Sequence, residues 1–173
     1  MPGGTDAPRG KAGRALERLA QAFALAGGAV LVVMIGMSAA SIVGRATVGK
    51  PVQGDFELVQ LGCAISIAAF LPWCQLRRGN IMVDFFTIGL SLRAQAALDA
   101  AGALLLALVM ALVAWRAGVG ALAVWAAGET AMISRVPAWI GYAAIVPSLA
   151  LTALVGLLTA WDSYRASLGR EPE

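Results

Sequence analysis

The chain of 173 residues has no histidine, only two cysteines and only 13% charged residues, against 60% hydrophobic ones. Each scarcity closes off a class of function. Without histidine or a cysteine cluster, a zinc or haem site lacks its ligand set, so neither metal nor cofactor is expected. Cys63 and Cys74 stand in one apolar run, about 16 Å apart along a helix and beyond disulfide reach, and they read as small apolar fillers. The net charge of +3 is mildly basic, yet the Lys and Arg residues flank apolar runs rather than forming a patch with interleaved aromatics. That pattern argues against a nucleic-acid partner and for a membrane topology signal.

What is present is a series of long uncharged runs with the charges gathered between them, as in integral membrane proteins. The expected fold is all-α: four transmembrane helices plus a short interfacial amphipathic helix between spans two and three. Residues 1–14 are expected to be a disordered cytoplasmic tail, 15–165 a single four-span membrane domain and 166–173 a second cytoplasmic tail.

The first uncharged run, Leu19 to Gly44, has 26 residues, too many for the core of a signal peptide, and reads as a retained span. Glu57 opens the second, which is uncharged for 19 residues from Leu58 to Leu76 and closed by Arg77 and Arg78. Pro72 near its far end predicts a kink or an early stop. The segment 94–128 has no proline; it reads either as one very long helix or as a span of Ala100 to Trp115 followed by a second piece near Arg116. In both versions Arg116 and Glu129 are expected at or beyond the interface, with Trp115 and Trp125 as belt residues. The last span is expected from Pro137 to Trp161, with Pro137 in the first helical turn, Trp139 and Tyr142 at the interface and a bend at Pro147. Small residues recur in steps of four or eight at Ala24, Gly28, Gly36, Ala40 and Gly44, and again at Ala144, Ser148, Thr152, Gly156 and Ala160, which would let another helix approach closely.

After Arg78 the sequence turns amphipathic. On a helix, Asn80, Asp84, Thr87 and Ser91 share one face, while Ile81, Met82, Phe85 and Phe86 cover much of the rest. Asn80 suits an N-cap and Asp84 the positive end of the helix dipole. With four spans, both tails and the second loop share one side. That side carries nine Lys and Arg residues against three opposite, so both termini and the interfacial helix are expected in the cytoplasm.

No catalytic constellation emerges. Ser66, Ser148 and Thr152 have no histidine or lysine beside them and read as backbone-bonding hydroxyls. The cores of the spans, as drawn, hold no ionisable group of the kind a pump needs. The chain therefore reads as an accessory or subunit membrane protein and not an enzyme, the alternative being a self-contained homo-oligomeric small transporter or channel.

Glu57 followed by Arg78, Gly79, Asn80, Ile81, Val83 and Asp84, with Val136, Pro137, Ala138, Trp139, Tyr142 and Pro147, resembles the small membrane subunit of tripartite ATP-independent periplasmic (TRAP) transporters, the DctQ-like family. The likeness runs from about Arg14 to Arg165. Many family members have histidine where Asn80 stands; capping and hydrogen bonding survive that exchange. The resemblance implies a multi-pass subunit of a secondary transporter in the bacterial inner membrane. Its partners would be membrane lipid, a large membrane subunit that moves an organic anion or related solute inward with sodium, and a periplasmic solute-binding protein. Arg77, Arg78, Asn80 and Asp84 become candidates for assembly and orientation. Glu57 and Arg135 become candidates for contact with a partner, and Trp139 and Tyr142 belong to the signature of the last span.

Overall fold

A computed structural model describes residues 11–50, 52–77 and 92–168 of the chain. It is helical, with four helices long and apolar enough to cross a membrane: α1 Lys11–Val48, α2 Asp55–Leu76, α3 Leu92–Ala127 and α4 Trp139–Ser167. The interfacial helix expected over Asn80 to Ser91 falls outside the described residues.

Two boundaries differ from expectation for local reasons, and of the two outcomes expected at Pro72 the early stop is absent. α1 begins at Lys11, because the Ala, Arg, Glu and Leu residues before the apolar run are strong helix formers; residues 11–14, assigned to the tail on composition, are helical. α2 does not stop at Pro72 but continues to Leu76 and is capped by the Arg77 N–H, which donates to the Trp73 and Gln75 carbonyls. α4 starts at Trp139, and Pro137 lies before it in an isolated antiparallel bridge with Thr130. The bonds flanking that pair run from Ala131 N–H to the Val136 carbonyl and from Ala138 N–H to the Glu129 carbonyl. Such a pair uses no N–H of its own residues, so proline fits there without loss.

The segment after Leu92 is one helix. It runs unbroken to Ala127 and ends at Gly128, whose φ of 65° lets the chain turn away. Gly128 N–H donates to the Trp125 carbonyl and Glu129 N–H to that of Val124, the paired bonds of a Schellman cap.

The helices pack in the order α1, α2, α4, α3. Gly62 against Met34, Leu61 against Gly141 and Ala107 against Gly156 fix the register. With Ser41 bonded to Asp55 and Gln75 to Thr159, α1 runs antiparallel to α2, α2 parallel to α4, and α4 antiparallel to α3. The central pair is the more enclosed: half of the apolar stretch of α4 and 28% of that of α2 are buried, against 6% for α1 and 11% for α3.

Size decides which side chains face inward. On α1, Ala20, Gly27 and Ser41 are buried and Met34 lies over Gly62. These four stand seven residues apart, the spacing of a left-handed helix pair. On α3, Ala107 and Ala114 are buried while Leu105, Leu108, Leu112 and Trp115 are exposed. Small residues inside and large ones outside is the packing logic of a lipid environment, where close backbone approach replaces the hydrophobic drive. The two small-residue stripes part company here. That of α4 is packed, Gly156 lying against Ala107 with Ser148, Thr152 and Ala160 buried. On α1, a Cβ at Gly28 or Gly36 would meet nothing within 4 Å.

Candidate functional site

Polar chemistry collects at the two ends of the bundle. At the first end, the α3–α4 loop is clamped to the start of α2. The Glu57 carboxylate accepts the Ile133 N–H at 3.2 Å and, at 3.0 Å each, the Ser134 N–H and hydroxyl. Charge-assisted bonds of this kind are stronger than neutral ones, and three of them on one carboxylate hold the loop in a single shape. Gly54 makes the approach possible: its φ is 75°, and a Cβ there would lie 2.8 Å from the Ser134 Cβ. Arg135, next in the loop, is held at a φ of 54°, a conformation that side-chain-bearing residues adopt seldom.

The α1–α2 loop is tied beside it. Ser41 donates its hydroxyl to Asp55 at 2.5 Å and accepts the Val52 N–H at 3.3 Å. Asp55 also accepts the Phe56 N–H at 2.7 Å and faces Arg45 at 3.9 Å. Asp55 and Glu57 both stand in the first turn of α2, where the helix dipole favours carboxylates.

At the second end, Gln75 donates to the Thr159 hydroxyl at 3.2 Å between the two central helices, both residues buried. Below this bond, the Arg77 guanidinium lies 4.6 Å from the Trp73 ring and that of Arg165 lies 5.2 Å from the Trp161 ring. Cations over tryptophans suit the boundary between acyl chains and headgroups.

The residues singled out in the sequence therefore separate. Glu57, Arg135, Trp139 and Tyr142 lie at the clamped end, and Arg77 lies at the opposite end. Arg78, Asn80 and Asp84 lie outside the described residues. Glu57 is engaged within the chain, whereas Arg135 and Met132, the latter 95% exposed, face outward. Ser66, Ser148 and Thr152 donate to the carbonyls of Gly62, Ala144 and Ser148, the backbone-bonding role expected of them. Ser41, Gln75, Ser134 and Thr159 escaped notice; the signal for Gln75 was an amide at the far end of an apolar span.

Of the two versions expected for this segment, the single long helix is the one found, and α3 runs unbroken through Arg116. Gly118 packs beside Val146 and Ala107 beside Gly156, which sets Arg116 level with the Ser66 turn of α2, roughly 13 Å from Glu57 and roughly 16 Å from Arg77 along the axis. Trp115 stands beside it on the same turn, Trp125 lies nearer the α3–α4 loop, and the third helix apolar enough to cross a membrane, Ala94–Ala127, includes Arg116.

Among the described residues no cluster of three or more His, Cys, Asp or Glu could hold a metal ion. No curated protein and no solved structure gives a significant match to the chain. The family model described as tripartite ATP-independent periplasmic transporters, DctQ component, matches residues 34–166, from the middle of α1 through α4. That is well over half of the sequence, and with four membrane-spanning helices behind it, the chain belongs to the DctQ component family, the small membrane subunits of TRAP transporters.

Proposed function

We propose that the chain packs along the large membrane subunit of a TRAP transporter in the bacterial inner membrane and supports it. The large subunit would take up an organic anion or related solute together with sodium, the solute being delivered by a periplasmic binding protein. The family match over residues 34–166 carries this reading. The exposed apolar faces of α1 and α3 support it, since they leave ample surface for lipid and for a larger neighbour.

The bias of Lys and Arg toward the tails and second loop supports an orientation with both termini in the cytoplasm. The clamped end would then face the periplasm. There Glu57 acts by holding the α3–α4 loop, and Arg135 with Met132 forms the face offered to the binding protein or the large subunit. Trp139 and Tyr142 set the depth of α4. At the cytoplasmic end Arg77, Arg78, Asn80 and Asp84 serve assembly and orientation.

Proteoliposomes holding both membrane subunits, supplied with the binding protein and a sodium gradient, should accumulate solute and lose that uptake when this chain is omitted. Uptake of equal rate without it, or recovery of the chain from mild detergent as a lone monomer when the large subunit is co-expressed, would count against the proposal.

A further inference from the structure

Arg116 is the feature that the clamp, the caps and the packing leave unexplained. It stands on the outward face of α3, near the middle of the apolar slab bounded by Glu57 and Arg77. Leu112 and Val119, one turn to either side, are 63% and 50% exposed, so its surroundings on this chain are hydrocarbon. Among the described residues it has no ion-pair or hydrogen-bond partner. A charge at such depth is costly and persists where a partner or a watered cavity receives it.

Escape along the helix is poor in both directions. Helical side chains leave the backbone toward the helix N-terminus, which for α3 is the Arg77 end and the farther boundary. Turning toward the nearer boundary works against that tilt, and both boundaries lie beyond the side chain's extent. A short reach to a lipid phosphate, open to Arg77 and Arg165 at the slab's edge, is therefore closed to Arg116.

We propose that Arg116 is an intramembrane docking residue, pairing with a carboxylate on a membrane-spanning helix of the large subunit and seating it on the outward face of α3. Charge dictates the partner: a guanidinium in hydrocarbon selects an anion presented at the same depth, and its planar fork matches a carboxylate with two parallel bonds. Leu112 and Val119 then pack around the pair and exclude water. This inference rests on the subunit role proposed above and adds to it which helix face is covered and by what chemistry.

The test is co-purification of this chain with its large subunit from membranes expressing both, for the wild type, Arg116→Leu and Arg116→Glu, beside thermal melts of each chain alone in detergent. Arg116→Leu and Arg116→Glu should each lower the recovered complex at least tenfold. Arg116→Leu should leave the melt of the isolated chain unchanged or raise it, because leucine suits an apolar face. Replacing one carboxylate in a spanning helix of the large subunit by arginine should restore the complex with Arg116→Glu. If the wild-type chain brings down no large subunit, the subunit role fails. If the wild-type complex forms and both variants form it equally well, or no charge exchange rescues Arg116→Glu, the intramembrane pair is overturned while the subunit role stands.

Discussion

Gly54 and Ser134 touch so closely that no side chain fits between them: a Cβ on Gly54 would lie 2.8 Å from the Ser134 Cβ and 3.0 Å from its backbone nitrogen. With a φ of 75° as well, the position excludes other residues twice, by space and by backbone. Gly54→Ala should cost about 1–3 kcal/mol from the strained conformation alone, read as a lowered melting temperature of the chain in detergent. An unchanged melt would mean that the two loops do not meet as described.

The Glu57 clamp makes a separate prediction about the loop. In Glu57→Ala the amides of Ile133 and Ser134 lose their acceptor, and their hydrogen exchange should accelerate by an order of magnitude or more, while amides in the middle of α2 stay protected. Glu57→Gln keeps one acceptor oxygen and should fall between the two. Equal protection in all three forms would show that the loop holds its shape without the carboxylate.

Two adjacent glycines on α1 should respond in opposite ways. A methyl on Gly27 would lie 2.9 Å from the Ala69 Cβ and 3.2 Å from the Ser66 carbonyl oxygen, whereas one on Gly28 meets nothing within 4 Å. Gly27→Ala should therefore destabilise by about 1–3 kcal/mol through overpacking. Gly28→Ala should be neutral or slightly stabilising, since alanine is the better helix former. Comparable losses at both sites would contradict the seven-residue packing face.

The bond between Gln75 and Thr159 crosses the two central helices. A double-mutant cycle with Gln75→Leu and Thr159→Val should return a coupling of about 0.6 kcal/mol, the average for hydrogen bonds between membrane helices. Additive single effects would mean that each residue is satisfied elsewhere.

Where the sequence was legible and where it was not follows from the range of the forces involved. The uncharged runs announced four spans because burying a charge in hydrocarbon is costly wherever the segment sits in the chain. The hydroxyls of Ser66, Ser148 and Thr152 were legible for a related reason, their partner being the carbonyl one turn back. The clamp was not: Glu57 and Ser134 are 77 positions apart, and nothing local to either names the other. The level of Arg116 in the bundle was not legible either, because it depends on the register of α3 against α4.

The sequence by itself determined that this chain is helical and membrane-spanning, and its motifs marked the family; hydrophobic length and charge clustering act locally and survive in a one-dimensional pattern. Tertiary structure decided the rest. It chose which small-residue stripe is packed, closed Glu57 on a loop it does not adjoin, and set Arg116 level with the middle of α2. Those outcomes depend on the register between neighbouring helices, set by close contacts such as Gly62 with Met34 and Gly156 with Ala107, and register is a relation between segments that neither segment holds alone.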